Sequence, residues 1–213
     1  MSANTADQRN WIERLSSKIP GYSGYVDKER RRDTDKLQRE HVADHIRSLK
    51  TPLTDTMRDL SSGGRLFEVR PVDHLIKKVD QLENRIRFAS YGYAGFFDVA
   101  KVDASRLDFI YQTDLGLVEQ VDQLEAAVNQ LKAQAGTADG LKSAAAQVDS
   151  ALDSVGKAFE ARYNVVNNFG QEPPEPEPLF GSNESDPTSV PSGADPGKVP
   201  SPGGSPGPSG SSV

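Results

Sequence analysis

The sequence predicts an all-α protein: a multi-helix bundle with a long antiparallel, coiled-coil-like hairpin and a disordered C-terminal tail. Apolar residues recur every three or four positions through long polar segments, which is the spacing of one helix face. Two of these segments follow one another across a short glycine-containing turn, which favours an antiparallel helix pair. Eleven of the 14 prolines fall in residues 170–213, among many glycines and serines. Such a segment buries too little apolar surface to offset the entropy of ordering.

Three regions are expected along the chain. Residues 1–25 hold a short amphipathic helix and a Tyr/Gly turn, residues 26–169 form the helical bundle, and residues 170–213 form the tail. The first helix is predicted over residues 6–19, with Trp11, Ile12 and Leu15 on one face and Pro20 and Gly21 ending it. A helix of this kind docks on its own protein or, alternatively, lies on a membrane surface.

The second helix is predicted to start near residue 26. Its first part, residues 27–36, alternates Arg and Asp so closely that a solvated face with ion pairs is expected. An apolar stripe then extends from Val42 to Leu60. Pro52 either kinks this helix or stands first in a new helix capped by Thr51.

Three further helices are expected beyond residue 60. One starts at Pro71 and stops near residue 90, after an ambiguous stretch at 65–70. The next has Asp103 as its N-cap and ends near residue 133, with Asp114 as a polar intrusion in its apolar stripe. A turn at 136–140 leads to the last helix, whose stripe runs from Leu141 through Phe159 and Tyr163 to Val166 with coiled-coil spacing. The alternative to the antiparallel hairpin is a dimeric or longer coiled coil.

The organising segment is an aromatic junction at residues 85–98, which holds five of the chain's 15 Phe, Tyr and Trp residues. Gly92 and Gly95 allow the backbone to turn there. A second Tyr/Gly-rich turn, residues 20–25, is expected to meet the junction at one end of the bundle. The junction either plugs the bundle internally or forms an exposed aromatic wedge for a partner or membrane. The candidate interaction residues are Tyr91, Tyr93, Phe96, Phe97, Trp11, Tyr22 and Tyr25.

Charge and composition exclude several classes of protein. The net charge is −6, but residues 1–102 carry 19 Lys and Arg against 15 Asp and Glu. This modest, interleaved basic excess argues against a nucleic-acid partner. The chain has no cysteine, its N-terminus does not have the pattern of a signal peptide, and no window is apolar enough for a transmembrane helix. We expect a cytoplasmic protein, with a peripheral membrane position as the alternative.

Catalytic and metal-binding patterns are weak. His41 and His45 are four residues apart on a predicted helix, next to Glu40 and Asp44, so they are the candidate metal ligands. The pair does not have the arrangement of a zinc protease, because no glutamate follows the first histidine. No nucleophile-and-base pattern and no phosphate-binding loop is evident, so we expect no enzyme activity, no cofactor and no small-molecule substrate.

Two segments resemble a known group of sequences. Pro-Gly-Tyr-Ser-Gly-Tyr at 20–25 and Tyr-Gly-Tyr-Ala-Gly-Phe-Phe-Asp at 91–98, separated by an Arg- and Asp-rich helix, resemble segments of uncharacterised bacterial proteins predicted to be helical. The likeness covers about residues 10–132. It implies a bacterial source and one helical domain, and it implies no activity, substrate or binding residue.

The functional expectation is a non-enzymatic adaptor, scaffold or assembly component. It would bind a protein partner or a second copy through helix faces or the aromatic junction. The alternative is a peripheral membrane protein that inserts the Trp11 helix and the Phe96–Phe97 loop. A third possibility is a metal-dependent helical enzyme at His41 and His45.

Overall fold

A computed structural model describes residues 3–90, 95–99 and 102–168. This part of the chain is helical, with no β-strand, which confirms the predicted fold class. A single 3₁₀ turn, Lys28–Arg30, precedes the second α-helix. The α-helices are α1 Ala3–Lys18, α2 Arg31–Ser48, α3 Lys50–Ser62, α4 Leu66–Arg87, α5 Gly95–Asp98, α6 Ala104–Gln134 and α7 Ala138–Asn167. The predicted tail at 170–213 lies outside the described residues.

The antiparallel hairpin of α6 and α7 is the largest helix contact of the fold. Helices α2 and α3 pack on α4, α4 packs on α7, and α1 packs on α6, so the apolar stripes meet in one shared core. Both α6 and α7 are about 30 residues long, which gives each a length of roughly 45 Å. Their facing stripes are buried along this whole length.

Helix α1 docks on the bundle through its apolar face. Leu15 and Ile19 are fully buried in the core, and Trp11 is half-buried against it. Two ion pairs connect the seam between α1 and α6: Arg14 with Glu119 at 3.1 Å and Lys18 with Asp122 at 2.5 Å. Among the described residues, no helix is both long and apolar enough to cross a membrane.

Two prolines occupy positions that differ from the prediction. The helix break falls at Leu49, and Pro52 is the third residue of α3, so the expected Thr51 cap is wrong. Position three suits proline because the first-turn N–H groups have no partner within the helix. Helix α4 starts at Leu66, so Pro71 is inside it rather than first. Arg65 holds this early start, since its guanidinium donates to the Glu68 carboxylate and to the Ala135 carbonyl.

The ends of the hairpin follow the predicted signals closely. Asp103 is the N-cap residue of α6, as expected. Helix α7 begins at Ala138, inside the predicted turn, because the Thr137 hydroxyl oxygen accepts a hydrogen bond from the Gly140 amide at 3.2 Å. This cap turns 138–140 into the first turn of the helix and shortens the connection between α6 and α7.

Candidate functional site

The two tyrosine- and glycine-rich turns meet, as predicted. The Tyr25 ring lies edge-on to Phe96, with ring centroids 5.2 Å apart, and stacks on Tyr111 at 5.7 Å. The Phe96 and Phe97 rings are 5.1 Å apart. Gly24 permits this packing, since its φ of 81° suits glycine and a Cβ there would lie 2.9 Å from the Tyr111 hydroxyl.

Four of the aromatic candidates are buried rather than exposed. Tyr25 and Phe96 are fully buried, and Tyr22 and Phe97 are nearly so. The junction is therefore an internal plug at Phe96 and Phe97, which is the first of the two predicted interpretations, and the alternative of an exposed wedge is wrong at these positions. The other candidates differ: Trp11 is half-buried beneath the Arg14 guanidinium, and Tyr91 and Tyr93 lie outside the described residues.

Beneath the plug lies a group of polar side chains from three helices and one turn. We call it the buried polar cluster. Its members are Tyr22, Tyr25, Asp35, Gln38, Asp114 and Arg162.

Arg162 is the centre of the cluster, and its side chain is 0 % exposed. Its Nε donates to Asp114 Oδ1 at 2.6 Å, and its Nη2 donates to Asp35 Oδ1 at 2.6 Å and to the Tyr25 hydroxyl at 3.0 Å. One guanidinium from α7 therefore joins a carboxylate from α6 and a carboxylate from α2. Planar donors of this kind make strong, directional bonds to carboxylates.

The charges of this group balance. The second oxygen of Asp35 accepts from Arg39 Nε at 2.9 Å, so two carboxylates face two guanidinium groups. The second oxygen of Asp114 accepts from the hydroxyls of Tyr25 at 2.7 Å and Tyr22 at 3.2 Å. Buried charges are tolerated only when they are paired and hydrogen-bonded in this way.

Two more arginines attach neighbouring segments to the cluster. Arg31 donates to the carbonyls of Tyr25 at 3.0 Å, Phe96 at 3.1 Å and Val99 at 2.7 Å. Arg39 donates to the Arg87 carbonyl at the end of α4, at 3.0 Å. Arg31 thus connects the turn at residues 20–25 with residues 95–99, because it satisfies backbone carbonyls of both segments.

Part of the charge run in residues 27–36 is buried, so the prediction of a wholly solvated face is wrong. Arg31 and Asp35 are each 2 % exposed, whereas Arg30 and Arg32 face solvent. The reason is register: residues 31, 35 and 38 continue the helical stripe of Val42 towards the N-terminus. Hydrogen bonds compensate for the burial: Arg31 donates to backbone carbonyls, and Asp35 accepts from Arg162 and Arg39.

Burial sets the acid–base properties of the cluster. It raises the pKa of Tyr22 and Tyr25 well above the ordinary tyrosine value, and it also raises the pKa of the neighbouring Tyr111. It also raises the pKa of Asp114, although the Arg162 charge and the Tyr25 hydroxyl oppose that shift. Since these side chains are 0–5 % exposed, the cluster is closed to a substrate, and its geometry suits a structural role.

Arg162 is the principal site residue that the sequence reasoning missed. The predicted stripe of the last helix passed from Phe159 to Tyr163, but the structure buries Arg162 and leaves Tyr163 half-buried. The alternation of four and three residues predicts position 162 after 159. That regularity, together with the polar intrusion at Asp114 on the partner helix, was the available signal.

The two candidate metal ligands, His41 and His45, differ in their environments. His45 Nε2 lies 2.9 Å from Glu125 Oε2 on α6, an ion pair when the histidine is protonated. His41 is half-buried, and burial lowers its pKa. Within residues 3–90, 95–99 and 102–168, no group of three or more His, Cys, Asp or Glu side chains is placed to hold a metal ion.

Two shallow grooves flank α7. The α4–α7 groove has a cavity volume of about 370 Å³ and is crossed by ion pairs of Lys78 with Asp153 and of Arg85 with Glu160. The α6–α7 groove is on the other side, with a volume of about 410 Å³. It is lined by Thr113, Gly116, Leu117, Gln120, Ser154, Lys157, Ala158 and Ala161.

The α6–α7 groove is shaped by small side chains. Of the eight described residues that line it, Lys157 alone is charged. A methyl group added at Gly116 would meet no atom within 4 Å apart from the neighbouring residues and backbone of its own helix, so packing within the described chain does not require glycine there. Glycine inside a helix costs roughly 1 kcal/mol relative to alanine. The groove is thus an open, mostly uncharged surface between two rigid helices.

Comparison with protein-family models, curated proteins and solved structures found no match to this chain. The resemblance carried by residues 20–25 and 91–98 therefore stays a prediction, and function is argued from the geometry.

Proposed function

We propose that this protein is a non-enzymatic helical adaptor that binds an α-helix of a partner protein in the α6–α7 groove. The observation that carries the proposal is Gly116, a helix-interior glycine on the floor of the groove whose small size serves no internal contact. Glycine and alanine on a groove floor let the backbone of an incoming helix approach closely, and an amphipathic helix then buries its apolar face there.

The buried polar cluster supports this use of the groove. Asp114 lies on the core side of α6, next to the groove residues Thr113 and Leu117. Arg162 lies on the core side of α7, next to Ala161. Their bond at 2.6 Å fixes the position of one groove wall against the other. A binding surface that is rigid before association loses less entropy on binding.

Photo-crosslinking in cells tests the proposal. A crosslinking amino acid at Gln120, inside the groove, is expected to capture one partner helix, identified by mass spectrometry. Gly116→Leu fills the floor and is expected to abolish that crosslink. Gly136→Leu is the matched control, since Gly136 also has open space around it but lies in the turn between α6 and α7. A crosslink that survives Gly116→Leu, or that Gly136→Leu abolishes equally, contradicts the proposal.

A further inference from the structure

The tip of the bundle exposes two adjacent apolar side chains. Leu66 is 67 % exposed and Phe67 is 99 % exposed, on the first turn of α4. Large apolar residues that project fully into solvent from an ordered helix indicate a contact site when they occur together. Neither residue belongs to the α6–α7 groove, so this surface is independent of the proposed adaptor site.

The two side chains project from a fixed support. Arg65 donates to the Glu68 carboxylate on one side and to the Ala135 carbonyl on the other. The first bond clamps the start of α4, and the second fastens it to the turn between α6 and α7. The resulting surface, which we call the apolar tip, consists of residues 58–70 and 132–142. Because Phe67 is 99 % exposed, its side chain projects from this surface and does not lie in a groove of it.

The charge of the apolar tip differs in sign from that of the whole chain. Arg58 pairs with Asp55 and Arg65 pairs with Glu68, so these residues add no net charge. The charged residues that remain in the apolar tip are Arg70, Lys132 and Lys142 against Asp59 and Asp139, whereas the whole chain has a net charge of −6. Ion pairs of Lys78 with Asp149 and of Arg85 with Glu160 show that α4 and α7 run parallel, which brings Lys142 level with the first turns of α4. At physiological ionic strength, charges beyond about 8 Å are largely screened, so this local excess decides attraction.

We infer that the apolar tip binds the surface of an anionic lipid bilayer. Phe67 and Leu66 would enter the boundary between headgroups and acyl chains, and Arg70, Lys132 and Lys142 would face the anionic headgroups. A bilayer accommodates projecting apolar side chains without needing a matching pocket. Two copies meeting tip to tip would bring like net charges together, which disfavours self-association through this surface. The inferred contact uses neither Trp11 nor the Phe96–Phe97 loop.

Sedimentation of the full-length chain with lipid vesicles tests the inference. Binding is expected with vesicles of phosphatidylcholine and phosphatidylserine, and it is expected to weaken as salt is added. Phe67→Ala is expected to lower the partition coefficient about tenfold or more. Arg70→Gln is expected to lower it by roughly fivefold. Because Phe67 is 99 % exposed, its replacement removes no internal packing.

Phe109→Ala is the matched control, since Phe109 is 54 % exposed on α6 outside the apolar tip. This variant is expected to bind vesicles like the parent protein. The inference is overturned if anionic vesicles fail to bind the parent chain, or if Phe67→Ala and Phe109→Ala weaken binding equally. It is also overturned if analytical ultracentrifugation shows a dimer that Phe67→Ala abolishes, because the tip would then be a contact between copies.

Discussion

Replacing Arg162 by methionine is expected to lower the free energy of unfolding by about 3–5 kcal/mol. Methionine fills a similar volume but removes the hydrogen bond to the Tyr25 hydroxyl and the bonds at 2.6 Å to the carboxylates of Asp114 and Asp35. Asp35 keeps Arg39 as a partner at 2.9 Å. Asp114 keeps only hydroxyl partners, so a fully buried carboxylate is left without a cation. This unpaired charge is the main source of the expected loss.

The assay is urea unfolding of the full chain followed by circular dichroism, with Arg162→Met, Asp114→Asn and the double variant. Neutralising Asp114 removes the charge that Arg162→Met leaves unpaired. The loss in the free energy of unfolding of the double variant is therefore expected to be smaller than the sum of the two single losses, by about 1–3 kcal/mol. Arg58→Met is the control for the side-chain change, because the Arg58 ion pair with Asp55 is exposed and contributes less than about 1 kcal/mol. The role assigned to Arg162 is refuted if Arg162→Met lowers the free energy of unfolding by less than about 1 kcal/mol. It is also refuted if the loss in the double variant equals the sum of the two single losses.

Three further outcomes are expected. Folding raises the pKa of three buried tyrosines, so their contribution to stability is complete below the ordinary tyrosine pKa of about 10 and is lost as the pH rises above it. A near-ultraviolet tyrosinate titration is then expected to show these residues ionising only as the helices unfold; smooth titration of the folded protein would contradict this. The three buried tyrosines with a raised pKa are Tyr22, Tyr25 and Tyr111. Gly116→Ala is expected to raise the free energy of unfolding by about 0.5–1 kcal/mol, because it reduces the entropy of the unfolded chain without a clash in the folded one. A lower free energy of unfolding in urea would show that the added methyl group does clash. Arg31→Met is expected to speed amide hydrogen exchange in residues 95–99, because the carbonyls of Phe96 and Val99 lose their donor. Unchanged exchange there would show that the aromatic ring contacts are sufficient to hold this segment.

The helix arrangement could be predicted because the apolar stripes are long and regular. The hairpin of α6 and α7 has an alternation of three and four residues over eight or more positions, and no other secondary structure buries such a pattern on one side. Boundaries were less predictable. The start of α4 depends on Arg65 reaching the Ala135 carbonyl, a contact between residues 70 positions apart.

The buried polar cluster could be predicted only in fragments. Tyr25 and Phe96 were expected to meet because both turns are rich in glycine and aromatics. Asp114 was visible as a polar residue in an apolar stripe. Arg162 and Asp35 were not, since a charged residue beside other charged residues is usually solvated. Each of the two can be buried only because the other is its partner, and only the assembled helices bring them within hydrogen-bond distance.

The sequence separation within the buried polar cluster has a consequence for biosynthesis. Asp35 and its partner Arg162 are 127 residues apart, and Tyr25 and Arg162 are 137 apart. At about 5–20 residues per second, a ribosome needs roughly 6–25 seconds to translate from Asp35 to Arg162. During that interval Asp35 and Asp114 have no Arg162 to pair with, so the nascent bundle cannot close around them. Nascent chains stalled before residue 162 should therefore remain protease-sensitive and available to chaperones, and closure should follow the emergence of the last turns of α7 from the exit tunnel.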